Sequence, residues 1–163
     1  MNTVMTESGH SKLKRALQVL GNMPCTRVIA GPNTGGVVSL HFGADLYRTD
    51  EPSISEGEFM LYIECPWALK AERRTLCTDR SNHSRIDDGL KQAVHRHVSH
   101  MRLDPKSLVL SLEFEDRLLL TIRSHSRRRS SSKDNYSLFT PTQIITLGPD
   151  LTVREEPREA VVS

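Results

Sequence analysis

Apolar residues along this chain switch between two spacings, and each switch marks a change of structure. Leu13, Ala16, Leu17 and Leu20 recur at three- and four-residue intervals, so they share one face of a short amphipathic helix. Ser11 stands ahead of the run as its N-cap, and residues 21–24, with a glycine and a proline, stop it. From Val38 the period falls to two. Val38, Leu40 and Phe42 lie on one side and Ser39 and His41 on the other, the alternation of a half-buried strand.

A polar loop at residues 50–58 leads into "GEFMLYIECPW", where Phe59, Leu61, Ile63, Cys65 and Trp67 alternate with Met60, Tyr62 and Glu64. Cys65 therefore shares its face with large apolar groups, and Pro66, which has no N–H, suits a strand edge, a bulge or the strand's end. Helical spacing returns with Ile86, Leu90, Ala93, Val94, Val98 and Met101, and predicts a second helix that ends before Pro105. "SLVLSLEFEDRLLLTIRS" then alternates on both sides of "EDR" and reads as a β-hairpin. The segment from Tyr136 onward reads as one broken strand or two, with a turn at residues 148–150.

The sum is an α+β fold: a largely antiparallel sheet of about five to seven strands with two helices packed on one face. Residues 11–155 are expected to form a single domain, with flexible ends at 1–10 and 156–163. At 163 residues, 37% hydrophobic and 26% charged, the chain is long enough for one core without a metal or disulfide. No cofactor is implied. No run approaches the ~18 to 20 apolar residues of a membrane helix, and the N-terminus lacks a signal-peptide pattern, so a cytoplasmic protein with no membrane partner is expected. Three cysteines at wide intervals fit neither a disulfide framework nor paired zinc-ligand motifs.

Candidate chemistry is sparse. His97 and His100 have the i, i+3 spacing of a helical metal pair, but no glutamate supplies the base of a zincin motif. Cys77, flanked by Arg73, Arg74 and Arg80, is a better nucleophile candidate than Cys65, since nearby cations lower a thiol pKa. No catalytic residue is assigned on this basis. Residues 30–36, "AGPNTGG", lack the lysine ending of a phosphate loop and read as a hairpin turn.

Charge offers more. The balance of 22 basic against 20 acidic residues makes no general argument for nucleic acid. Locally, Arg123, His125, Arg127, Arg128, Arg129 and Lys133 form a dense basic segment among serines, suited to an acidic protein surface or to phosphates. The nearest aromatic for base stacking is Tyr136. Asp50, Glu51 and Glu56 supply acids on a separate loop, so both segments are candidate partner-binding sites through complementary charge.

The strand "GEFMLYIECPW", followed by "LSLEFEDRLLLTI" and "YSLFTP", resembles small bacterial domains in which a "GE…L…CPWR" strand precedes a "L.L.F.D…L.I" hairpin. Those domains look like immunity and accessory proteins of bacterial competition and defence loci. The similarity spans residues 36–147, with Ala68 where a basic residue usually follows the tryptophan. The resemblance implies a non-enzymatic module that binds another protein as an inhibitor or accessory. The alternative is a nucleic-acid-associated defence component that uses residues 123–133. Homodimerisation through a sheet edge stays open.

Overall fold

The computed structural model describes residues 8–30, 36–48, 55–126, 133–159 and 161–162. Its elements are α1 (Gly9–Gln18), β1 (Cys25–Ala30), β2 (Val38–Arg48), β3 (Ser55–Ile63), β4 (Trp67–Ala71), β5 (Arg74–Thr78) and α2 (His83–Leu90). They continue with β6 (Val98–Leu103), β7 (Leu110–Phe114), β8 (Leu118–Ile122), β9 (Tyr136–Phe139), β10 (Gln143–Leu147), β11 (Val153–Pro157) and β12 (Val161–Val162). The fold is α+β with antiparallel pairing, as the periodicity predicts, and its strands divide between two sheets. One sheet runs β1-β2-β3-β9-β10-β11, with β12 continuing beside β2, and the other runs β5-β4-β8-β7-β6.

The division falls inside the alternating stretch that begins at Phe59. The chain leaves the first sheet after Ile63, turns at residues 64–66 and enters the second sheet at Trp67. Pro66 sits at this corner, where a strand that changes sheets needs a bend. Asn135 ties the corner. Its backbone carbonyl accepts from the N–H groups of Glu64 (2.9 Å) and Cys65 (3.1 Å). Its buried amide donates to the carbonyls of His125 (3.1 Å) and Gly148 (2.9 Å) and accepts from the His125 N–H (3.1 Å). Arg123 donates its N–H to the Pro66 carbonyl at 2.8 Å. The arginine-rich segment is therefore a connection between sheets, with both ends bonded into the corner.

Phe59, Leu61, Ile63, Cys65 and Trp67 all face one contiguous core that also takes Leu13, Leu17 and Leu20 from the α1 region and Ile86 and Leu90 from α2. Cys65 is a core residue. The hairpin read from "EDR" is β7–β8, with Leu112 opposite Leu120, and the turn at residues 148–150 joins β10 to β11.

Three expectations are corrected. The N-cap of α1 is Ser8, whose hydroxyl accepts from the N–H of Ser11, so Ser11 lies in the first turn. The second helix ends far short of Met101: a 3₁₀ turn covers Lys91–Ala93, His95 takes φ 71°, and Val98 onward is β6. A bulge between Val98 and His100 breaks the alternation of β6 and leaves Val98 and Met101 three residues apart, which imitates a helix. The tail expected to be flexible from Glu156 is built into the first sheet: residues 156–157 belong to β11, Arg158 is buried, and residues 161–162 pair with β2.

Candidate functional site

The outer face of the first sheet carries most of the buried polar groups. Pairing of the strands lines up one row as Arg27, His41, Met60, Phe139, Ile144 and Glu156 across six strands. The neighbouring row includes Ser39, Tyr62, Ser137 and Thr146. Period-two geometry brings residues distant in sequence side by side here.

His41 Nε2 lies 3.2 Å from Ser39 Oγ, a distance that suits a base and its nucleophile. The tautomer is wrong for that role. The Gly57 N–H donates to His41 Nδ1 at 2.9 Å, and Arg27 Nη2 approaches the same nitrogen at 3.5 Å. Nδ1 must be the acceptor, so Nε2 carries the proton and donates to Ser39. Burial, and next the Arg27 cation, lower the His41 pKa from 6.5 to about 4. The ring is a neutral structural donor.

At one end of this face Arg158 folds over Phe139, with its guanidinium carbon 5.6 Å from the ring centroid. Nη1 donates to the carbonyls of Glu58 (2.9 Å) and Thr140 (3.0 Å), and Nη2 to the Gly57 carbonyl (3.0 Å) and the Glu56 carboxylate (2.9 Å). Its side chain is 2% exposed. Beside it opens a cleft of about 350 Å³ whose lining combines Phe139, Ile144 and Pro157 with Arg158 and the acidic Glu56, Glu156 and Glu159.

Glu56 thus has a structural duty as the partner of Arg158 as well as a place on the cleft. Asp50 and Glu51, the other acids of its loop, lie outside the described residues, as do Arg127, Arg128 and Arg129. Arg123, His125 and Lys133, the described members of the basic segment, are exposed. They gather by the Tyr136 end of β9, and the cleft lies by its Phe139 end.

The remaining candidates lose their chemistry. Cys77 is fully buried, and burial raises its pKa to about 11 despite the nearby Arg85 cation. Cys25 is likewise raised to about 12, mainly by burial. His97 and His100 are not on a helix: His97 forms an isolated bridge with Pro24, and His100 is in β6. His97 Nδ1 meets Glu115 at 3.1 Å. Among the described residues no three His, Cys, Asp or Glu side chains are grouped to hold a metal ion. Tyr136, the aromatic nearest the basic segment in sequence, is 0% exposed and cannot stack on a base, whereas Tyr62 on β3, opposite Ser137, is exposed.

Sequence reasoning placed Ser39 and His41 on a polar face and missed Arg27, Phe139 and Arg158. Strand alternation carried a signal for Phe139, but the ion pair of Arg158 with Glu56 joins distant parts of the chain and leaves no local pattern. The chain matches no protein-family model, no curated protein and no solved structure. Among the described residues no helix is long and apolar enough to cross a membrane.

Proposed function

We propose that this protein is a non-enzymatic binding module that restrains or helps to assemble another protein through its charged surface. The setting implied by its resemblance to immunity and accessory proteins is bacterial competition or defence. The observation that carries the reading is the separation of surface charge along β9, basic groups by Tyr136 and carboxylates by Phe139. Opposed patches of this kind raise the association rate and fix the orientation of a partner. The buried thiols and the neutral, donor-locked His41 support it, because they leave the surface as the place where recognition can occur.

Nucleic acid is the weaker reading because Tyr136, the aromatic nearest the basic segment in sequence, is buried. The test is the triple variant Arg127→Glu, Arg128→Glu, Arg129→Glu. It is expected to weaken the complex with the native partner at least about tenfold, on the scale of charge reversal at an interface, with an unchanged melting temperature. Unchanged partner affinity would remove the segment from the account.

A further inference from the structure

We infer that His41 is an acid-operated release for the C-terminal tail, coupled to it through Gly57. Gly57 donates its N–H to His41 Nδ1 at 2.9 Å, and its carbonyl accepts from Arg158 Nη2 at 3.0 Å. The link is tight: a Cβ at this position would stand 2.8 Å from the His41 Cβ, so only glycine lets the backbone come so near the ring. His41 is 2% exposed, and among the described residues both hydrogen-bond contacts of Nδ1 are donors. One is the Gly57 N–H. The other, at 3.5 Å, is the Arg27 guanidinium, which the Ser55 hydroxyl (3.1 Å) and carbonyl (2.9 Å) hold in place. A second ring proton would therefore meet an N–H and a cation instead of an acceptor.

Charged groups reach the ring from each element around it: Arg27 on β1, Asp45 on β2, Glu56 on β3 and Arg158 in the tail. Burial, and next the Arg27 cation, outweigh the two acids, so the ring stays neutral until about pH 4. Protonation is relieved by moving Gly57 away from Nδ1. That movement takes one carbonyl from Arg158 and disturbs the adjoining Glu56 and Glu58, which supply two more of its acceptors. Beyond Arg158 the tail pairs with the sheet through Val161 opposite Arg48 and Val162 opposite Tyr47, on the strand that carries His41. So short a pairing depends on the Arg158 anchor. Its release opens the β2 edge at Tyr47 and Arg48 to an added strand.

The test is amide exchange of the full chain by mass spectrometry at pH 7 and pH 5, corrected for intrinsic rates, with the β7–β8 hairpin as the reference for opening of the whole molecule. Tail amides from Arg158 onward should be less protected than the hairpin at both pH values. A ring set free by the opening regains an ordinary pKa near 6.5, so tail protection should fall about twentyfold between pH 7 and pH 5. His41→Gln should remove most of that fall. Glu56→Gln should keep it, which separates the ring from the carboxylate that also meets Arg158. Tail protection equal to that of the hairpin would mean that the tail opens only with the whole molecule. Protection that does not change with pH, or that falls as much in His41→Gln, would mean that the ring does not control it. Each of these results overturns the proposal. Should His41→Gln fail to fold, the fall in Glu56→Gln decides: its persistence supports the ring as the trigger, and its loss assigns the release to the carboxylate.

Discussion

Arg154 and Arg158 stand close together near the end of the chain, and each meets a carboxylate, yet the fold uses them in opposite ways. Arg154 makes a two-pronged pair with Asp134 at 2.8 and 2.7 Å, and its side chain is 55% exposed. Arg158 has a single prong on Glu56 at 2.9 Å, but it is buried and also serves three backbone carbonyls. The geometry of the ion pair alone would rank Arg154 first. Burial reverses the ranking, because solvent replaces what Arg154 gives up and cannot reach what Arg158 would leave behind. The same contrast separates the two charged surfaces: the basic segment is presented to solvent, whereas the acidic cleft is built around a buried cation.

Breaking the buried member should have the largest effect. Arg158→Met leaves the Glu56 carboxylate and three carbonyls without their donor, and is expected to cost about 3–5 kcal/mol, measured by urea denaturation. Much of that loss should return in the double variant that also carries Glu56→Gln, because the stranded charge is gone.

Acid should come next. His41 is buried and feels the charges of Arg27, Glu56, Asp45 and Arg158, and its folded pKa of about 4 lies below the usual 6.5. The unfolded chain gains a proton as pH falls through about 6.5, and the folded one does so near 4. Stability from this group is therefore complete above pH 6.5 and lost as pH falls toward 4, by roughly 3 kcal/mol in all. Denaturation curves between pH 7 and 5, where most carboxylates stay ionised, should slope in the native protein and be nearly flat in His41→Gln. Equal slopes would mean that His41 does not resist protonation.

Arg154→Ala should change stability by less than about 1 kcal/mol, and half-molar salt should shrink the difference further. A loss as large as that of Arg158→Met would show that exposure is not what distinguishes the pair. Alkylation of the thiols sharpens the same contrast between surface and interior. Cys25, Cys65 and Cys77, all buried, should react with iodoacetamide at the rate of unfolding and without loss of partner binding in the folded state.

The elements that the sequence revealed are those whose faces alternate without interruption. Phe59 to Trp67 and the β7–β8 hairpin need no more than period two, and Leu13, Leu17 and Leu20 no more than a helical stripe. Bulges hid the rest. Between Val98 and His100 the extra residue disguised β6 as helix, and in β2 a bulge after Phe42, where Gly43 takes φ 78°, moves the next buried position to Leu46. Pro66 marked the corner between sheets as one of several meanings a proline can have in a strand. The candidate site was harder to read still. Its cleft is assembled from β3, β9, β10 and the tail, and Arg158 looks like any other charge in a polar terminus until the fold places it on Phe139.

The most direct test of the account is an affinity capture from the native host, with and without nuclease, that compares the tagged protein with its triple variant Arg127→Glu, Arg128→Glu, Arg129→Glu. The account predicts a protein partner that survives nuclease and is lost from the variant while the variant stays folded. Capture that vanishes on nuclease treatment, or that is the same for both proteins, would contradict it.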